Sequence, residues 1–432
     1  MNFKSFSFPD ALLQALDELN FHTLTPIQQA AIPVVRRGHD VLATAQTGTG
    51  KTAAFALPVI HRLLEGESVG SARALILAPT RELAEQIANN CQAFCQYTSL
   101  TVQAVYGGVN IEGQTQRLSQ GVDILVATPG RLLDLIRLGA VSLAQVKYLV
   151  LDEADRMLDM GFVADMQKVI DMVSEERQLL LFSATFPTAV KQFAKQVLRE
   201  PKLVQAAKEN TTAETVRHVV YPVEQKRKQE LLSELIGKKN WLQVLVFVNM
   251  KDDADQLVKE LELDGISATV CHGDKSQGAR RRALREFKEG KVRVLVATEV
   301  AARGIDIDGL PRVINFDLPY LAEDYVHRIG RTGRAGNSGQ AISFVAREEE
   351  QTLIHIETLI GQKIQRYYLP GYEVASRENL IENLARKPSH QRRKARTNRP
   401  SNQASGEARA KNRSKISNVR QRLKGAQLKL QK

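Results

Sequence analysis

The run Ala43-Thr44-Ala45-Gln46-Thr47-Gly48-Thr49-Gly50-Lys51-Thr52 places two glycines, a lysine and a hydroxyl residue in the order that a phosphate-gripping loop requires. Gly48 and Gly50 let the backbone wrap phosphate oxygens with its N–H groups, Lys51 can reach the β- and γ-oxygens, and the Thr52 hydroxyl can ligate Mg2+. The usual loop opens on Gly, whereas Ala45 holds that place here. The loop alone therefore leaves open whether the nucleotide serves a kinase, a switch, a transporter or a motor.

The acidic tetrapeptide Asp152-Glu153-Ala154-Asp155 follows the apolar run Tyr148-Leu149-Val150-Leu151. The end of a buried strand is where a second Mg2+-organising carboxylate belongs, which suits Asp152, and Glu153 beside it could polarise an attacking water. This pairing favours hydrolysis over transfer. Upstream, in Thr25-Pro26-Ile27-Gln28, the Gln28 amide can accept from N6 and donate to N7 of adenine, which suggests ATP rather than GTP. In His327-Arg328-Ile329-Gly330-Arg331-Thr332-Gly333-Arg334 the arginines recur every three residues, flanked by glycines. Their spacing fits either an exposed basic helix face or guanidinium groups carried to the γ-phosphate across an interdomain cleft.

Such residues must be positioned by strands that end at a common edge, because ligands of doubly wound sheets bind beyond the strands' carboxyl ends. Val41-Leu42 leads into the phosphate loop, Ala74 to Ala78 into Pro79-Thr80-Arg81-Glu82-Leu83, and Ile124 to Ala127 into Thr128-Pro129-Gly130-Arg131. Tyr148 to Leu151 leads into the acidic tetrapeptide, and Leu179 to Phe182 into Ser183-Ala184-Thr185. Together with Val102 to Tyr106, these runs alternate with helical patterns and predict a parallel sheet covered by helices. A second ladder, with Val244 to Val248, Ala268 to Val270, Val292 to Ala297, Val313 to Phe316 and Ala341 to Val345, predicts a second α/β domain. The expected organisation is domain 1 over 1–207, a polar linker over 208–215 that lacks large apolar residues, domain 2 over 216–385, and a tail over 386–432.

Composition bounds the rest. A chain of 432 residues, 43% hydrophobic and 25% charged, can fill substantial cores. No apolar run approaches the roughly 18 residues of a membrane span, and the first ten residues lack a signal-peptide core, so a cytoplasmic protein without membrane partners is expected. Three cysteines, Cys91, Cys95 and Cys271, read as reduced core thiols rather than a disulfide or zinc framework. The net charge of +12 is concentrated in the tail, where 16 Lys or Arg face the single acid Glu407, leaving about −3 for residues 1–385 (44 basic, 47 acidic). Without aromatic residues or apolar periodicity, the tail is expected to be disordered and to hold a nucleic acid through phosphate neutralisation.

Taken together, these residues resemble one family, the DEAD-box ATP-dependent RNA helicases of superfamily 2. Thr25 to Gln28 looks like the Q motif, with Phe3 in place of the upstream aromatic and Phe21 before it, and Ala45 to Thr52 matches motif I with its leading Ala. Pro79 to Leu83 and Thr128 to Arg131 match motifs Ia and Ib, with Gly107-Gly108 between them. Asp152 to Asp155 is similar to motif II, Ser183 to Thr185 to motif III, Gln277-Gly278-Ala279-Arg280 to the QxxR element, Ala297 to Asp306 to motif V, and His327 to Arg334 to motif VI. Arg156 to Phe162 and Pro370 to Glu373 look most like the bacterial RhlE-type subgroup. Two departures stand out: Asn20 precedes Phe21 where the family has Gly, and Glu299 stands where motif V has Asp. The second lengthens a carboxylate near the interdomain contact and so bears on how ATP and RNA binding are coupled.

The resemblance implies two tandem RecA-like domains that close over ATP and RNA together, with ATP and Mg2+ as ligands and local opening of short duplexes as the activity. It assigns ATP binding to Phe3, Phe21, Gln28, Ala45 to Thr52 and Asp306, and catalysis to Lys51, Asp152, Glu153, Arg331 and Arg334. Coupling falls to Asp155, Ser183, Thr185 and His327. RNA backbone contacts fall to Pro79, Thr80, Arg81, Gly107, Gly108, Thr128, Pro129, Gly130, Arg131, Gln277, Arg280 and Thr298, whose hydroxyls, guanidinium groups and close backbone suit phosphates and carry no base code. Ribosome assembly and RNA decay are the implied settings.

Overall fold

Short runs of β-branched and aliphatic residues build two all-parallel sheets in the computed structural model, which describes residues 2–45, 49–205, 216–302, 309–333 and 339–372. The expected linker 208–215, the tail 386–432, and Gln46, Thr47, Gly48, Asp306 and Arg334 lie outside the described residues. The first sheet contains β1 (Val41–Thr44), β2 (Ala74–Leu77), β3 (Val102–Val105), β4 (Ile124–Ala127), β5 (Tyr148–Leu151), β6 (Gln178–Ser183) and β7 (Lys202–Gln205), in the order β3-β4-β2-β5-β6-β1-β7. The second contains β8 (Val216–Pro222), β9 (Val244–Val248), β10 (Ala268–Cys271), β11 (Val294–Thr298), β12 (Arg312–Asn315), β13 (Gly339–Val345) and β14 (Gln365–Arg366), in the order β10-β11-β9-β12-β13-β8-β14. Both belong to one compact unit, Met1–Val374.

Each sheet is buried on both faces, as parallel sheets must be when helices cover them. Alternation along β2 sends Ala74 and Ile76 into one helix layer and Leu75 and Leu77 into the other. In β9, Val244, Val246 and Val248 join one core while Leu245 and Phe247 join the opposite one. Cys91, Cys95 and Cys271 are free and buried, and burial pushes the Cys95 thiol up to about 12, so they serve as core residues.

Among the described residues each sheet has seven strands, more than the six and five expected from sequence. The additions lie at or beside an edge. β7 exposes all its residues except Val204, and β14 is two residues long. Neither presents the apolar run that marks a central strand. β8 pairs with both β13 and β14, in a stretch of mixed polarity that includes Arg217 and His218.

Capping chemistry fixes where the functional loops stop and the helices begin. Gly50, at φ 87°, turns the chain into the helix Lys51–Leu64. The Thr80 hydroxyl accepts from the Leu83 N–H at 3.3 Å and starts the helix Arg81–Phe94, and Ser276 does the same for Ala279 and the helix Gln277–Lys288. Pro129 opens the helix Pro129–Arg137, a position that needs no N–H. Asn20, where the resemblance has Gly, adopts φ 58°, a left-handed conformation that Asn tolerates better than most residues, so this departure is accommodated. Among the described residues, no helix is long and apolar enough to cross a membrane.

Candidate functional site

The carboxyl ends of β1, β5 and β6 gather the nucleotide-facing groups. Lys51 is 6% exposed, its Nζ lies 4.0 Å from Asp152 Oδ1, and it has no hydrogen-bond partner among the described residues. A buried ammonium without a hydrogen-bond acceptor at the head of a helix is a receptor for an anion, and a phosphate oxygen is the anion that this loop is built to hold. Burial pushes the Asp152 carboxyl up to about 6; Lys51 opposes this and Glu153 adds to it. Asp152 and the Thr52 hydroxyl offer the hard oxygen donors that Mg2+ takes, and among the described residues no cluster of three or more metal-ligating side chains exists.

Glu153 sits in the left-handed region at φ 53° and caps the helix Ala154–Asp159 while 95% buried. A non-glycine residue held there costs roughly 1–3 kcal/mol and persists where surrounding structure imposes it. Gln28 is 2% exposed and already spans two backbone groups, accepting from Thr25 N–H at 2.9 Å and donating to Gly50 C=O at 3.2 Å. A Cβ on Gly50 would fall 2.4 Å from its Nε2, so the glycine is required by this close approach. A primary amide carries two N–H bonds and two lone pairs, which leaves one of each for a ligand. Phe3 is buried and packs on Phe21 at 6.1 Å; both line a cavity of about 520 Å3 with Asn2 and His22.

Asp155 joins three segments. Its Oδ2 accepts from the Thr185 N–H and hydroxyl, both at 2.8 Å, and from the Ala184 N–H at 3.2 Å, while the Ser183 hydroxyl donates to the Thr185 carbonyl at 2.7 Å. His327, from the second sheet's helix Ala322–Ile329, stands 3.6 Å from Asp155 Oδ2 and 3.9 Å from Asp324 Oδ1, ion-pair rather than hydrogen-bond distances. Burial pushes the Asp155 carboxyl up, but His327, Arg156 and Lys51 outweigh it and hold it well below the usual range. Burial and the Arg156 charge push His327 down, yet the Asp155 and Asp324 carboxylates prevail and raise it above its ordinary value.

Arg156, 2% exposed, crosses between the sheets to Asp324 and to Glu299 Oε1, the latter at 3.1 Å. Glu299 also receives Arg328 Nε at 2.6 Å, so one carboxylate bridges arginines of both sheets. Arg328 is otherwise committed to the Asp317 carbonyl at 2.7 Å and Asn249 at 3.1 Å, which makes it a tie within the second sheet. Arg331 is buried in the turn after the helix; Arg334 and Asp306 are outside the described residues.

The expected RNA surface comes together in a cavity of about 330 Å3 whose lining includes Pro79, Thr80, Arg81, Gly107, Thr128, Gly130, Arg131 and Arg280. Gly108 does not line it; it sits in the left-handed region at φ 76°, with the Arg81 guanidinium close against it. Arg131 donates to the Val109 carbonyl at 3.1 and 3.2 Å and so steadies the glycine turn. Pro129 and Thr298 are also absent from the lining, and Gln277 faces a different cavity. Arg280 pairs with Glu82 across the sheets at 3.0 Å. Met160 and Phe162 line the RNA-side cavity without having been assigned to it; no charge or hydroxyl marks them in the sequence.

The DEAD/DEAH box helicase family matches residues 25–193, and the helicase conserved C-terminal domain matches residues 227–336. ATP-dependent RNA helicase RhlB of Pseudomonas aeruginosa is 48% identical over 84% of this chain and 93% of its own length. DEAD-box ATP-dependent RNA helicase CshA of Geobacillus kaustophilus is 40% identical over 86% of this chain and 79% of its own. These names lend no support to the RhlE-type subgroup. S. cerevisiae Dbp5 bound to RNA and ADP BeF3 superposes with a TM-score of 0.78 at 31% identity, covering 89% of this chain and 99% of that one. A Dbp5 variant bound to nup159, gle1, ip6 and ADP superposes with a TM-score of 0.59 at 30% identity, covering 88% of this chain and 99% of that one. Two RecA-like domains, both helicase family matches in chain order and relatives at 40–48% identity establish that the chain belongs to the DEAD-box ATP-dependent RNA helicases, RNA-dependent ATPases.

Proposed function

We propose that this chain opens short RNA duplexes or remodels RNA–protein particles by closing its two domains over ATP and RNA, in the cytoplasm, in ribosome assembly or RNA decay. The two domains span 1–207 and 216–385, with 208–215 as the linker between them. Lys51 and the loop from Ala45 to Thr52 hold the phosphates; Gln28, Phe3 and Phe21 take the adenine; Asp306 meets the ribose. Thr52 and Asp152 would hold Mg2+, which when bound neutralises charge on the phosphate oxygens. Glu153 orients the attacking water, and Arg331 and Arg334 stabilise the transferring phosphoryl group.

The observation that carries this reading is Asp155, which hydrogen-bonds Thr185 and Ala184 and pairs with His327 of the other domain. Any change at the phosphates moves Asp152 and Glu153, and through Asp155 reaches both the Ser183-Ala184-Thr185 segment and the closure of the domains. RNA enters along Arg81, Gly107-Gly108, Thr128, Arg131, Arg280 and Thr298 through backbone contacts with little sequence preference. The test is ATPase stimulation and strand displacement with RNA and DNA strands of equal length and sequence. RNA stimulation with duplex opening is expected; equal stimulation by DNA would move the chain to the DNA-directed translocases. Crosslinking bound transcripts in cells identifies the physiological RNA.

A further inference from the structure

One arginine outside every assigned element ties three of the RNA-facing segments together. Arg281, on the helix Gln277–Lys288 of the second sheet, donates through Nη2 to Glu85 Oε1 at 2.5 Å and to the Tyr106 hydroxyl at 3.1 Å, both in the first sheet's domain. Glu85 lies one helical turn beyond Arg81, on the helix that Thr80 caps. Tyr106 immediately precedes Gly107-Gly108, and its backbone is clamped by the buried Gln114, whose amide accepts from the Tyr106 N–H at 3.0 Å and donates to its carbonyl at 3.1 Å. Arg281 itself follows Arg280. The contact therefore forms only when the motif Ia helix, the glycine turn and the QxxR helix are in register.

Arg281 does not line the RNA-side cavity. The Arg280–Glu82 pair forms a wall shared by that cavity and a second one of about 550 Å3, and Arg281 and Glu85 line only the second. We propose that Arg281 is a positioning residue, an interdomain latch that stabilises the closed, RNA-gripping arrangement by holding these three segments together. This rests on the RNA path assigned above. Because Arg281 and Glu85 are 52% and 33% exposed, the latch is a rim contact whose loss shifts the closing equilibrium modestly.

The test measures RNA affinity of the full chain twice, without nucleotide and with a non-hydrolysable ATP analogue. Arg281→Ala, Glu85→Ala and Tyr106→Phe should each weaken RNA about two- to fivefold with the analogue, ~0.4–1 kcal/mol, and leave affinity without nucleotide unchanged. Arg281→Glu should weaken it more, and adding Glu85→Arg should restore it. A thermal melt of each variant checks folding, and Arg281→Lys, which keeps the charge, should retain part of the effect. Equal weakening with and without nucleotide, with no rescue by the charge swap, would make Arg281 a direct phosphate contact and overturn the latch. Wild-type affinity in all variants would overturn it too. Arg280→Ala is the control for the path: if it leaves RNA binding intact in both states, the RNA path fails, whereas weakened binding there beside unchanged Arg281 variants removes the latch alone.

Discussion

At Glu153 two requirements meet in one residue: a carboxylate next to Asp152, the residue proposed to hold Mg2+, and a left-handed backbone that turns the strand into a helix. Glu153→Gln keeps size and backbone tolerance and removes only the basic oxygen. It should retain ATP and RNA binding while single-turnover hydrolysis falls by about 10² or more, the contribution of a lost general base. A rate within about threefold of wild type would exclude that role. Gln28 offers a second test, because its amide is held between Thr25 and Gly50 with one donor and one acceptor still available. Gln28→Ala should erase roughly 1–3 kcal/mol of preference for ATP over GTP, read as the ratio of their binding constants. Since the same substitution frees the Gly50 carbonyl, some loss of affinity for both nucleotides should accompany it.

Among elements, the junction between the helices Ala154–Asp159 and Ala322–Ile329 is where we place the coupling. Arg156 is the cation that Asp324 and Glu299 share, buried to 98%. Arg156→Ala removes the cation from Asp324 and from one side of the Glu299 bridge while His327 and Arg328 stay beside them; truncating one partner of a buried pair costs up to about 3–5 kcal/mol, so RNA should no longer stimulate ATPase at concentrations that saturate wild type. Undiminished stimulation would show that the bridge does not hold the domains closed. His327 gives the junction a pH dependence. Its pKa is raised in the closed form by Asp155 and Asp324 against burial and Arg156, so its contribution to closure is full below its ordinary value and is lost as pH rises through the raised one. Asp155, held well below its ordinary range, stays ionised throughout and adds no slope. Half-saturating RNA should therefore climb as pH rises past the ordinary imidazole range, and His327→Gln should flatten that climb; parallel profiles for the two proteins would remove His327 from the closing equilibrium.

For the whole molecule, the charge split matters most. Residues 386–432 carry a net +15 while the rest is near −3, and every assigned ATP contact lies upstream of the tail. If the tail neutralises phosphates, each one adds about 0.7 to the salt slope on single strands, so a chain ending at Ala385 should lose several units of slope. It should keep its maximal ATPase rate and need more RNA to reach it at physiological salt. Equal half-saturation and equal slopes for the two chains would leave the tail without a role in anchoring RNA.

The sequence by itself determined the class of chemistry and most of the scaffold. The phosphate loop, the Asp152-Glu153 pair and the strands preceding them are local signals, because a buried parallel strand and the loop it feeds are written in consecutive residues. Edge strands β7 and β14 were not legible for the converse reason: partly exposed pairing needs no apolar run. Contacts made across the two sheets were decided only by tertiary structure. Nothing in the order of residues says that Glu299 reaches both Arg156 and Arg328, that Arg328 is a tie rather than a phosphate ligand, or that Arg281 meets Glu85 and Tyr106. Most of these partners lie tens to hundreds of positions away, on the face of an element whose orientation is set by packing, and charge types alone allow many other pairings.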